Sequence, residues 1–169
     1  MTSPRSGSTP GSSGSAGTTP QTAGYTRGAE TLAPEQRARL GLEAFNDRDF
    51  DMLLDQSRPD VEIVDQATGE RFQGREGVRR FAQQWVDAFP DAKCTITNLI
   101  SAGDSVVVEY RGQGTNTGPL KTPQGSIPPT GRRADVVMCD VLEFKDGRIA
   151  RQRTYYDAAS MQRQLGLQG

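Results

Sequence analysis

The chain contains no histidine. That excludes Ser-His-Asp and Cys-His catalytic constellations and every metal site that uses an imidazole. Cysteine is scarce too: Cys94 and Cys139 are the only two, each within a strand-like pattern. Two cysteines form neither a zinc site nor a disulfide scaffold, and the expected state is a pair of buried free thiols in a cytoplasmic protein. There is no basic block and no acidic tail, and the net charge is −1. The pairs Arg79-Arg80 and Arg132-Arg133 are too short to be polybasic, so neither a nucleic-acid nor a membrane partner is expected. No apolar run approaches the length needed to span a bilayer. With histidine missing, any proton chemistry falls to Asp, Glu, Tyr, Lys or Cys.

Large side chains are also missing from the N-terminal end. Of the first 24 residues, 19 are Ser, Thr, Gly or Pro. Such a segment cannot bury enough surface to offset its ordering entropy, and it lacks the apolar core of a secretory signal. Residues 1–30 are therefore expected to be a disordered tail, and residues 31–169 a single domain.

Within 31–169 the pattern runs from helix to strand. "APEQRARLGLEAFNDRDFDMLL" predicts a helix opened by Pro34, interrupted at 46–49, and a short second helix with Phe50, Leu53 and Leu54. "PDVEIVD" (59–65) alternates like a strand. A third helix is expected from about Arg75 to Phe89, closed by Pro90, with the stripe Val78, Phe81, Ala82, Trp85, Ala88 and Phe89. Strands follow: one marked by Cys94, Ile96 and Ile100, then one with Val106, Val108 and Tyr110 on a single side. The Gly- and Pro-rich stretch 117–131 predicts a long loop, and Gly112 and Gly114 a bulge or bend. Asp-Gly at 146–147 predicts a tight hairpin, and a short C-terminal helix carries Met161 and Leu165. Helices followed by an antiparallel meander make an α+β fold.

One strand carries the chemistry. In "DVVMCDVLEF" (135–144), Ala134, Val136, Met138, Asp140, Leu142 and Phe144 share a face because strand side chains alternate. That face is apolar except for Asp140. Desolvation among Val136, Met138 and Leu142 would raise its pKa toward neutrality, so that one carboxyl could both remove and return a proton. Alternatively, Asp140 is a core acceptor paired by Arg153, Tyr155 or Tyr156 from the neighbouring strand.

"FNDRDFDML", "FQGREGVRRFAQQW", "AFPD", "GTNTG", "PPTGR", "DGRI" and "QLG", in this order, resemble the SnoaL-like polyketide cyclases of the nuclear transport factor two-like superfamily. The resemblance covers residues 33–167. It implies a cone-shaped, curved antiparallel sheet wrapped around the N-terminal helices, with a deep pocket and a homodimer formed through the outer sheet face, where Val107 and Val137 lie. It further implies aldol-type cyclisation or a related isomerisation of a hydrophobic polyketide-like molecule, without metal or organic cofactor. Asp140 best matches the family's acid/base. The residues expected to contact substrate are Trp85, Tyr110, Asn116, Met138 and Tyr156. Asn116 stands where many relatives carry histidine, and Arg151, Gln152 and Arg153 depart from the usual pattern after "DGRI". Two other readings stay open. One is a non-catalytic small-molecule-binding or assembly module of the same fold. The other is a limonene-type epoxide hydrolase, from which this chain departs at Gln113 and Thr154, where carboxylates would be required.

Overall fold

The computed structural model describes residues 32–167; the Ser/Thr/Gly/Pro-rich tail lies outside the described residues. The elements run α1 (Pro34–Asp47), α2 (Phe50–Asp55), β1 (Ser57–Asp65), β2 (Arg71–Gln73), α3 (Gly74–Ala88), β3 (Lys93–Ala102), β4 (Ser105–Thr115), β5 (Leu120–Thr122), β6 (Gly125–Ile127), β7 (Arg133–Lys145), β8 (Arg148–Tyr156) and α4 (Ala158–Leu165). Six strands form one curved sheet in the order β2-β1-β8-β7-β4-β3. It is antiparallel except between β1 and β8, which run parallel with Ile63 opposite Gln152 and Asp65 opposite Thr154. The helices cover one face: Ala38 of α1, Val78 and Ala88 of α3 and Met161 of α4 join Val106, Val108, Val136 and Leu142 in one core.

Local chemistry sets the helix ends. Pro34 occupies the first turn of α1, where its missing N–H costs nothing. The Asp49 and Asp157 carboxylates accept from the backbone N–H groups of Met52 and Ser160, both at 2.9 Å, and start α2 and α4. Beyond α1, Arg48 takes the left-handed conformation at φ 61°. Its guanidinium donates to the carbonyls of Phe45, Pro90 and Ala92, tying the end of α1 to the α3–β3 turn. The Asn46 side chain both donates to and accepts from the Cys94 backbone, at 2.8 and 2.7 Å, and so acts as a strand partner at the sheet edge.

The β7–β8 hairpin turns where the sequence places it, through Asp146 and Gly147, both at positive φ as a two-residue hairpin requires. Other expectations need correction. The glycines of β4 produce no bulge, since the β4–β7 register is unbroken from Ser105 to Thr115. Their role is close approach: a Cβ on Gly114 would lie 3.0 Å from the Phe89 Cβ, and one on Gly112 3.1 Å from the Met138 sulfur. The bulge falls in β3 instead, where Thr97 is extra between Ile96 and Asn98 and donates from its hydroxyl to the Glu109 carbonyl. One extra residue inverts the alternation. Leu99 therefore packs inward, and Ile100 is 57% exposed. The 117–131 stretch is not a plain loop: Leu120 pairs with Ile127 in a small β5–β6 ribbon, an apolar cross-strand pair among prolines.

Candidate active site

Asp140 projects from the middle of β7 onto the helix-covered face, as does every second residue from Ala134 to Phe144, all buried. It belongs to a row across the sheet: Val108 on β4, Asp140 on β7, Thr154 on β8 and Asp65 on β1. Its neighbours are fixed by a single irregularity. The β7–β8 hairpin leaves its turn pairing Lys145 with Arg148 and Phe144 with Ile149, then shifts so that Glu143 faces Arg151. Ala150 is the unpaired extra residue. Without it, Arg153 would stand opposite Asp140; with it, Thr154 does. Arg153 instead turns to the outer face and pairs with Glu143 at 2.9 Å.

Asp140 therefore has only neutral hydrogen-bond donors. Thr154 donates its hydroxyl to Oδ1 at 2.6 Å. Tyr110 and the Gln152 amide donate to Oδ2 at 3.3 and 3.2 Å. Among the described residues no cation pairs with it. Burial pushes its pKa up, the three hydrogen bonds pull it back, and the Asp65 charge adds a small upward push; the balance is a pKa of about 6. The surrounding groups hold their protons. Burial and the Asp140 charge keep the Tyr110 hydroxyl well above the ordinary phenol range and push the Cys94 thiol up to about 12. Near neutral pH, Tyr110 is a donor and Cys94 is no nucleophile.

The carboxyl opens into a cavity of about 110 Å³ with mostly apolar walls. Three of the residues expected to contact substrate, Trp85, Tyr110 and Met138, line it with Asp140. Tyr156 does not. Its ring packs edge-on against Trp85 at 5.4 Å, its hydroxyl donates to Asp65 Oδ2 at 3.1 Å, and it borders a separate hollow of about 50 Å³. Asn116 also lies away from the cavity and is fully buried. Its amide donates to the carbonyls of Ala88 and Gly118, and its Oδ1 accepts from the backbone and hydroxyl of Thr130. With every polar atom engaged, it pins the β5–β6 segment to the end of α3 and has nothing left for a ligand.

Sequence reasoning missed Thr154 and Gln152 as partners of Asp140, and Asp65 as a buried carboxylate. Asp65 is 1% exposed. Its Oδ1 accepts from the backbone of Ala67 and Thr68, a local turn hidden inside a strand pattern. Among the described residues, no cluster of three His, Cys, Asp or Glu could hold a metal ion, and no helix is long and apolar enough to cross a membrane.

A curved sheet closed over by helices is the architecture of a class of small α+β proteins with a ketosteroid isomerase-like fold. A protein of that fold from Catenulispora acidiphila, solved with trimethylamine, is 22% identical with a TM-score of 0.65 over 78% of this chain and 92% of its own. The family model for the SnoaL-like polyketide cyclases matches residues 35–165, and the chain belongs to that family. TsrD from Streptomyces laurentii is 28% identical, with a TM-score of 0.69 over 79% of this chain and 95% of its own. IdmH from Streptomyces antibioticus, described as a candidate polyketide cyclase, is 29% identical, with a TM-score of 0.67 over 80% and 99%. No curated protein sequence matches the chain.

The raised pKa has a consequence for stability. A carboxyl that binds its proton more tightly when folded favours the native state below the unfolded value near 3.8. That contribution fades as pH climbs from about 4 to about 6 and is gone above, a change of roughly 3 kcal/mol. In denaturant melts, Asp140→Asn is expected to lose this component of the pH dependence and to match or exceed wild type at pH 7. A loss of several kcal/mol at pH 7 would mean that the carboxylate is a structural partner.

Proposed function

We propose that the protein is a cofactor-independent acid/base enzyme that closes a ring in a hydrophobic polyketide-like molecule by intramolecular aldol addition or a related isomerisation. The observation that carries this reading is Asp140: a carboxyl poised at about 6, held only by neutral donors, facing an apolar cavity. Such a group exists in both protonation states near neutral pH, as a single acid/base requires. Family membership and the resemblance to IdmH support the substrate class.

The chemistry balances through one proton. The Asp140 carboxylate removes a proton from a carbon alpha to a carbonyl, leaving an enolate. The enolate carbon bonds to a second carbonyl carbon of the same molecule, and the electron pair of that C=O moves onto its oxygen. Asp140, now a neutral acid, returns the proton to this alkoxide. Tyr110 keeps its own proton throughout and can donate a hydrogen bond to a developing oxyanion. Thr154 holds the carboxyl in place and moderates its basicity through the 2.6 Å bond.

With only neutral donors on it, the Asp140 carboxyl is free to exchange a proton with a ligand, which favours the acid/base reading over a binding-only module. With an aromatic polyketide methyl ester as substrate, kcat/KM is expected to rise with pH through a group near 6. Thr154→Val should move that inflection upward, because it removes a bond that stabilises the charged form. Asp140→Asn should cost at least about a hundredfold. Turnover at the wild-type rate by Asp140→Asn would overturn the assignment.

We also propose a homodimer through the outer sheet face. Val137, Ile100 and Tyr155 are 64%, 57% and 42% exposed there. Val107 and Val141, paired across β4 and β7, share that face. Light scattering during size exclusion should give twice the chain mass at micromolar concentration, and Val137→Glu should give the monomer mass. A monomeric wild type would exclude the dimer.

A further inference from the structure

The cavity that holds Asp140 is small for the ligand proposed. At about 110 Å³ it falls below the roughly 150 Å³ at which an engineered apolar cavity binds benzene. A second hollow of about 50 Å³ lies further along the same face of β7. The main cavity spans Met138 to Leu142, and the second spans Ala134 to Met138. The eight residue-to-residue steps from Ala134 to Leu142 cover roughly 26 Å, so the two hollows lie end to end along a path much longer than either. They share the walls Phe45, Trp85, Cys94 and Met138. Trp85 also borders the third hollow, beside Tyr156.

Two of the shared walls, Trp85 and Met138, are held by packing alone: the indole lies edge-on to Tyr156 at 5.4 Å and stacks on Phe89 at 6.3 Å, and Met138 is a core side chain. The Trp85 indole Nε1 is buried and has no hydrogen-bond partner among the described residues, so turning the ring breaks no hydrogen bond. A buried donor without a partner is uncommon and calls for an explanation. Met138 is unbranched and flexible, and its sulfur lies over Gly112, where even a methyl group would stand 3.1 Å away. The sulfur fills the space that a side chain at Gly112 would take.

We infer that Trp85 and Met138 form a movable partition between the two hollows. The ligand is an elongated, chain-like carbonyl compound whose reacting end sits at Asp140 and whose tail displaces the partition. Trp85 and Met138 thereby select for chain length, whereas Asp140 acts on the carbonyl end. This deepens the acid/base reading of the same site and rests on it for the position of the reacting end.

Calorimetric titration of the intact protein with linear 2-alkanones, from 2-butanone to 2-undecanone, tests the partition. Each methylene entering an apolar hollow should tighten binding about three- to fourfold. In wild type the gain should pause at the length where the tail meets the indole, then resume as the second hollow fills. Met138→Ala and Trp85→Leu should each remove the pause. A permanent plateau in wild type would show a fixed wall, and a rise without interruption in wild type would show no wall; either overturns the partition. The series measures walls and not proton transfer, so it separates from the acid/base reading. A plateau leaves Asp140 as the acid/base untouched, and full turnover by Asp140→Asn removes the acid/base while the length pattern stands.

Discussion

The site depends on one extra residue in one ladder. Ala150 has no partner across β7, and its insertion moves every later residue of β8 by one position relative to Asp140. Because strand side chains alternate, that step decides whether a guanidinium or a hydroxyl meets the buried carboxyl. An arginine there would hold the group ionised and make it a structural anion. A threonine leaves desolvation as the largest influence. The same shift sends Arg153 outward to Glu143 and brings Gln152 and Thr154 inward, so it sets both faces of the strand at once.

The polar groups around Asp140 are arranged to tolerate two charge states. Thr154, Tyr110 and Gln152 offset enough of the burial cost to keep the carboxylate accessible, but not enough to depress its pKa. Tyr110 and Cys94 lie beside it and hold their protons more firmly than usual, so neither competes for the proton near neutral pH. Asp65, two strands away in the same row, contributes its charge while its own oxygens are engaged by Ala67, Thr68 and Tyr156. The result is one titrating group in an otherwise inert apolar hollow.

Much of this was legible in the residues. Alternation alone places Asp140 on the buried face of its strand, and the stripe on α3 places Trp85 on the packed side of its helix. Asp-Gly at 146–147 located the hairpin. Register was not legible, because a bulge leaves no composition mark: Thr97 and Ala150 look like ordinary strand residues, and each inverts the pattern after it. Ile100 and Arg153 face outward for that one reason. Asn116 was misjudged for another. Its position in "GTNTG" points to the pocket, but its four side-chain hydrogen bonds, to Ala88, Gly118 and Thr130, can be counted only once the chain is folded. The parallel pairing of β1 with β8 is likewise a tertiary fact, since neither strand differs in pattern from an antiparallel neighbour.

The site turns on a carboxyl that titrates near neutrality because it is buried without a cation. The most direct test is a carbon-13 NMR titration of the aspartate side-chain carboxyls, with the Asp140 signal assigned by its absence in Asp140→Asn. A midpoint near pH 6 for that resonance is the predicted result. A midpoint at or below the ordinary aspartate value of about 3.9 would contradict it, and would mean that Asp140 is held as a permanent anion.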